Sequence, residues 1–277
     1  MEFQFDVSIC VLTLNQLNYT KKCLNSLLAT TFKGALQIII VDNASQDGTQ
    51  MWLQQFQRQY SKENFLISLI LNPDNFGCTE GRNQACRAAS GEFIVFLDND
   101  TEIIQPDWLQ RLYDYYNANK SEKRIGILGV KLLYPDNPNL IQHAGIGVTA
   151  KGKIGYWGQG KNREDVKFNE IRDVQACAAA CWFVKKDIFL KFGYFDNLFF
   201  PVNYEDIDFC YRIREKGYRV VYFPLVELYH SDHRTTKNTA QISFMHTTIR
   251  NGQKFKKRWK HIFEKENEMQ EQDINWI

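Results

Sequence analysis

Several protein classes are excluded by what this sequence lacks. Its formal net charge is only +2, and nothing in that near balance argues for a nucleic-acid binder, which needs a concentrated basic face. No window approaches the roughly 18 consecutive apolar residues that span a bilayer. The opening MEFQFDVSICVLTLN has no basic stretch followed by an apolar one, so it does not read as a signal peptide. The seven cysteines are odd in number and lack the close spacing of a disulfide framework, which favours a reducing compartment. Cys177 and Cys181 lie in the apolar stretch QACAAACWFV without partner histidines, and read as buried small hydrophobes rather than metal ligands. Internal repeats and linker composition are absent. No Ser-His-Asp or Cys-His arrangement suggests covalent catalysis. These absences together indicate a cytoplasmic chain.

What is present is an ordinary globular composition. The chain has 277 residues, 44% hydrophobic and 24% charged, enough for a substantial core. Aromatics reach 14% and many fall in the second half, which suits either a ring-lined cleft or an aromatic core. Periodicity alternates along the first hundred residues. Strands are expected over 7–14, 36–41, 65–71 and 93–97, and helices over 21–28, 49–60 and 79–89. Such alternation predicts an α/β fold, a mixed, mostly parallel sheet flanked by helices on both faces. Each polar cluster follows a strand, at the carboxyl edge where open α/β sheets bind ligands.

The pattern then changes. Helices are expected over 106–117, 187–192 and 205–216, and strands over 125–133, 174–184 and 219–223. A glycine-rich connection covers 145–160, and from about Asn251 the chain is basic and then polar. A single domain is expected, in which 1–100 and 101–250 are two halves and 251–277 a basic helix with a polar tail.

Three constellations carry chemistry. The segment 93–100, FIVFLDND, is a buried strand ending in Asp98-Asn99-Asp100. Carboxylates are hard oxygen ligands suited to Mg²⁺ or Mn²⁺, although Asp and Asn also favour plain solvated turns. The segment 203–212, NYEDIDFCYR, puts three carboxylates where a helix should begin. There they can serve the helix dipole, and Asp208 can pair with Arg212 at i, i+4. Glu205 and Asp206 remain for a cleft, where a carboxylate can act as a general base. His230 follows RVVYFPLVELY and could be a metal ligand through neutral imidazole, with His233 its rival.

Taken in order, these pieces resemble family 2 glycosyltransferases of the GT-A fold, a Rossmann-like architecture. VSICVLTLNQ, IIIVDNASQDGT, NPDNFGCTEGRNQA and FIVFLDND match that family's nucleotide-side elements, the last being its DXD element. VQACAAACWFVKKDIFLKFGYFDNLFFPVNYEDIDFCYRIREKGYRVVYFP matches its acceptor-side block. The resemblance covers about residues 7–259. It implies that 1–100 is the nucleotide-binding half and 101–250 the acceptor-binding half.

By that resemblance the chain is an inverting, metal-dependent enzyme, moving a sugar from a UDP-, GDP- or dTDP-sugar donor to a glycan, lipid-linked or protein acceptor. Thr13 and Asn15 would wrap the nucleotide, Asp42 would meet its base, and Asn75 and Gly77 would shape a loop beside it. Arg82 would cap that loop or meet a phosphate. Asp98 and Asn99 would lie near the ribose or the cation, and Asp100 and His230 would hold Mn²⁺ or Mg²⁺. Asp206 would be the catalytic base, with Glu205 second to it. Trp182, Phe199 and Phe200 would either line the sugar or acceptor surface or pack in the core.

There are departures. Ala179 stands where the family's acceptor block usually has glycine, which would tighten the space beside the donor sugar. The Gln-x-x-Arg-Trp element of processive relatives is missing, since QKFKKRW has the wrong spacing. A non-processive enzyme is therefore expected, leaning toward rhamnosyltransferase-like relatives that build bacterial polysaccharides. The KFKKRW segment suggests either peripheral contact with an anionic membrane, at its inner face, or a solvated helix face. Sequons at Asn18, Asn43 and Asn99 read as chance, because two fall in the expected cleft. The rivals are a sugar-phosphate nucleotidyltransferase, disfavoured by TLNQLNYT after the first strand, and a non-catalytic nucleotide-sugar-binding domain.

Overall fold

Three buried strands and a partly buried edge strand build one half of the sheet. β1 (Phe5–Thr13) pairs in parallel with β2 (Leu36–Asp42) and with β4 (Gly91–Asp98), and β2 pairs with β3 (Phe65–Leu71). Helices α1 (Leu17–Leu27), α2 (Thr49–Tyr60) and α3 (Gly77–Ala88) make the connections. The computed structural model describes residues 4–119, 124–231, 244–266 and 274–276. The parallel register sets Thr13 beside Asp42 and Leu12 beside Asp98, so these strands end on one edge.

The second half adds β5 (Thr101–Ile103), α4 (Trp108–Asn119), β6 (Ile125–Tyr134), β7 (Asn137–His143), β8 (Ile146–Val148) and β9 (Ile154–Trp157). There follow β10 (Arg172–Asp173), β11 (Cys181–Lys185), α5 (Lys186–Lys191), α6 (Glu205–Glu215), β12 (Arg219–His230), α7 (Phe244–Phe263) and β13 (Ile274–Trp276). The sheet order is β10-β12-β6-β11-β4-β1-β2-β3, with β5 paired to β12 and β7 to β6. β11 is antiparallel to both β4 and β6 and so joins the two halves.

Alternation along β1 feeds two cores. Val7, Ile9 and Val11 pack with Leu24 of α1, Leu53 of α2 and Trp108 of α4, whereas Cys10 packs with Ala85 of α3, Phe189 of α5, Phe209 of α6 and Phe255 of α7. Helices therefore cover both faces, as the periodicity predicts. Cys177 and Cys181 are buried within these cores.

Three expectations need correction. The strand read over 174–184 forms only at Cys181–Lys185, and the residues before it run as irregular buried backbone. β12 does not stop at Phe223 but continues to His230, because a register shift between Phe223 and Glu227 accommodates Pro224. Proline lacks the ladder donor, and bulges are where sheets tolerate it. The stretch 145–160 is a hairpin, β8 with β9, completed by β13 as a small three-stranded sheet. The basic helix begins at Phe244 and is amphipathic: Phe255, Trp259 and Phe263 are buried while Lys256, Lys257 and Lys260 are exposed. His233 and the polar tail at 267–273 lie outside the described residues.

Candidate active site

The sheet edge gathers the acidic residues through strand pairing. β4 ends at Asp98, the chain turns through Asn99 and Asp100, and Thr101 of β5 then pairs with His230 of β12. Backbone N–H of Ser231 donates to the Asp100 carbonyl at 3.0 Å. His230 Nε2 thus lies 3.3 Å from an Asp100 carboxylate oxygen and 3.9 Å from one of Asp98. One ligand atom from each of Asp98, Asp100 and His230 lies within 4.8 Å of the others. Two carboxylates and an imidazole on a largely buried edge fit a small divalent cation such as Mn²⁺ or Mg²⁺.

Asp42 ends β2 on the same edge. Its Oδ1 accepts from the Ser45 amide at 2.9 Å and from Gln50 Nε2 at 2.7 Å. Its buried Oδ2 has no hydrogen-bond partner among the described residues. Asn15, at φ 55°, sits in the turn after β1 and accepts from the Gln46 amide at 2.8 Å, while its own amide donates to Ser45 Oγ at 2.6 Å. Those bonds clamp the first turn to the second. Thr13 and Asn99 are brought together but inward: Asn99 Nδ2 donates to Thr13 Oγ1 at 3.2 Å and to Thr20 Oγ1 at 3.0 Å. Both are buried, so their side chains brace the DXD turn against β1 and α1.

At Gly77 the loop before α3 meets the loop before α6. Its φ is +75°, and a Cβ there would stand 2.9 Å from Pro201 Cβ. Asn75 Oδ1 accepts from the Gly77 amide at 2.9 Å, and Cys78 N–H donates to the Pro201 carbonyl at 2.7 Å. Opposite, Asn203 and Tyr204 both adopt positive φ before α6 starts at Glu205. Asn251 of α7 holds that loop, its Nδ2 donating to the carbonyls of Phe199, Val202 and Asn203 at 2.7, 2.9 and 3.2 Å.

Arg82, buried on α3, spans the cleft. Nη2 is 2.5 Å from Asp98 and Nη1 is 3.0 Å from Glu205. Glu205 is buried, and its second carboxylate oxygen has no partner among the described residues. Burial first, and then the Asp206 charge, push the Glu205 carboxyl up to about 7, against the pull of Arg82. Asp206 is more open to solvent. Burial raises its carboxyl too, opposed by Arg82 and by hydrogen bonds from the Ile207 and Ala179 amides at 2.8 and 3.3 Å. Asp208 turns away, bonded to Arg212, Arg258 and Trp259. Trp182 and Phe199 are fully buried, so they are core and not cleft surface; Phe200 is 46% exposed.

Sequence reasoning missed Gln142 and His143 on β7. Gln142 contacts the His230 ring, and His143 Nε2 accepts from the Ala178 amide at 3.2 Å, next to the residue that meets Asp206. Nothing local marks them, since their partners are about 35 and 88 residues away in sequence.

Comparison with known proteins gives the family and the fold. O-antigen biosynthesis protein RfbC of Myxococcus xanthus is 29% identical over 233 residues, which is 82% of this chain and 17% of that protein. The chain thus spans a quarter or less of the length of the first curated relatives it matches. Among solved structures it is similar to GalNAc-T7 with UDP, GalNAc and Mn²⁺, at TM-score 0.66 and 15% identity over 82% of this chain and 43% of that one. It is also similar to the mannosyltransferase PcManGT of Pyrobaculum calidifontis in complex with GDP-Man and Mn²⁺, at TM-score 0.61 and 16% identity over 84% and 59% of the two chains. The sheet and its helices are therefore the GT-A fold of these glycosyltransferases. The sequence profile of glycosyl transferase family 2 matches residues 8–193, and the chain belongs to that family.

Proposed function

We propose that the chain moves a sugar from a UDP-, GDP- or dTDP-sugar to an acceptor hydroxyl, with inversion at the anomeric carbon. One observation carries this reading: the Asp98, Asp100 and His230 cluster and the Asp206 helix face one edge, joined through Arg82. Asp98, Asp100 and His230 would hold Mn²⁺ or Mg²⁺. When bound, that ion stabilises charge on the nucleoside-diphosphate leaving group. Asp42 offers its unpartnered carboxylate oxygen to the nucleotide, and Asn15, Asn75 and Gly77 shape the loops around it. Thr13 and Asn99 hold the DXD turn in place.

Asp206 takes the proton of the acceptor hydroxyl. The acceptor oxygen bonds to C1 of the sugar as the bond from C1 to the diphosphate oxygen breaks, and the pair of electrons leaves with the diphosphate. Glu205 is the buried neighbour that, with Arg82, fixes the start of α6. The O-antigen name of the Myxococcus xanthus relative supports a role in cell-surface glycan synthesis, on a glycan, lipid-linked or protein acceptor. No helix among the described residues is long and apolar enough to cross a membrane. Peripheral contact through the exposed lysines of α7 suits a lipid-linked acceptor.

The test is a panel of nucleotide sugars with Mn²⁺, Mg²⁺ or a chelator, reading nucleoside-diphosphate release and the anomeric configuration of the product. Metal-dependent release from one donor with inverted product is expected. A retained configuration, or full release in chelator, would contradict the reading.

A further inference from the structure

Gln142 occupies an irregular place in the sheet. β6 runs between β7 and β12, and Leu132 of β6 has both His143 and Leu228 as partners. From Leu132 to Leu133 the partner on β7 moves from His143 to Ile141, so Gln142 is the additional residue of a bulge. Bulges re-aim side chains. Here the buried Gln142 side chain reaches the end of β12, 88 residues away in sequence.

Both polar atoms of that amide engage His230. Nε2 donates to the His230 carbonyl at 2.9 Å, and Oε1 lies 2.6 Å from ring Nδ1. A carbonyl only accepts, so the NH₂ group must be the one facing it. Oε1 can then only accept, and the ring nitrogen it meets must carry the proton. In a neutral ring that leaves the lone pair on Nε2, the atom 3.3 Å from Asp100 and 3.9 Å from Asp98.

We propose that Gln142 is a positioning residue of the cation site: it accepts from Nδ1–H of the His230 ring and so aims Nε2 into the space shared by Asp98 and Asp100. The proposal rests on the cation-binding reading above. Outer partners of this kind typically change metal affinity by about 10- to 100-fold.

Two measurements on the full chain test it and keep it separate from that reading. The first is long-range ¹H–¹⁵N correlation of the metal-free His230 ring, assigned with His230→Ala. Protonated Nδ1 is expected, with or without a proton on Nε2; a ring with bare Nδ1 and protonated Nε2 overturns the proposal whatever the metal does. This needs no change at Gln142, so a poorly folding variant cannot leave the question open. The second is Mn²⁺ binding by electron paramagnetic resonance, with UDP, GDP and dTDP each present in turn, for wild type, Gln142→Leu and Gln142→Glu. Gln142→Leu should bind about 10- to 100-fold more weakly, while Gln142→Glu, which still accepts from Nδ1–H but loses the donor to the His230 carbonyl, should lose less than Gln142→Leu. Unchanged affinity in Gln142→Leu overturns the proposal alone, and a wild type that binds no Mn²⁺ overturns the cation reading together with it.

Discussion

Arg82 Nη1 lies 3.0 Å from the buried Glu205 carboxylate, linking α3 to the first residue of α6 across 123 positions of sequence. The same guanidinium holds Asp98, so one residue ties the end of β4 to the helix that carries Asp206. Removing one partner of a buried ion pair costs up to about 3–5 kcal/mol, an upper bound here because the Glu205 carboxyl, already raised to about 7, can take up a proton instead of standing uncompensated. Arg82→Met should lose up to that much in urea unfolding, and adding Glu205→Gln should recover part of it. A single variant within about 0.5 kcal/mol of wild type would contradict the coupling.

Asp42 tests the nucleotide side. Its Oδ1 is occupied by Ser45 and Gln50 whereas its Oδ2 has no partner among the described residues. Asp42→Asn should weaken nucleoside-diphosphate binding by about 10- to 100-fold, as for a lost bond to a charged group. Because no protein bond to Oδ2 is lost, the melting temperature should hold or rise. Calorimetric titration with UDP, GDP and dTDP reads the first effect, and unchanged affinity for all three would count against the assigned role.

Gly77 tests the contact between the halves. Alanine there would take a left-handed φ of +75° and press its Cβ against Pro201. The backbone penalty alone is roughly 1–2 kcal/mol, which should lower Tm by about 2–8 °C in a chain of this size. A Tm equal to wild type would contradict the left-handed backbone at Gly77 and its close contact with Pro201.

Much of this was legible in local pattern, and the reasons for the rest are specific. Thr49–Tyr60 and Phe65–Leu71 match expectation residue for residue, because α2 has a periodic apolar face and β3 a compact apolar run. α1 starts four residues before its expected position, since the Leu17 amide is bonded by Asp47, 30 residues away. Pro224 concealed the second half of β12, and the glycines of 145–160 concealed a hairpin whose third strand comes from Ile274–Trp276. Asp42, Asp98 and Asp100 stood out because they lie at strand ends, and Glu205 and Asp206 because they open a helix. Gln142, His143 and Asn251 did not, because their partners are set by tertiary packing alone.

His143 makes a pH prediction. Burial, with a smaller contribution from His230, lowers its pKa from 6.5 to about 3. The unfolded chain therefore takes up a proton below about 6.5 that the folded ring refuses until about 3. This contribution to stability is complete above that window and is lost as pH falls through it, by up to about 1.4 kcal/mol per pH unit. His143→Gln should flatten the acid limb of stability between those values. Equal slopes in variant and wild type would contradict the buried neutral ring.

The most direct test of the account is single-turnover sugar transfer by Asp206→Asn, with the donor identified from the panel and saturating metal. The account predicts a rate about 10²- to 10⁴-fold below wild type, with nucleoside-diphosphate affinity unchanged, because Asp206 takes the acceptor's proton without holding the donor. A variant that transfers sugar within about tenfold of wild type, below the range expected for a lost general base, would contradict that central assignment.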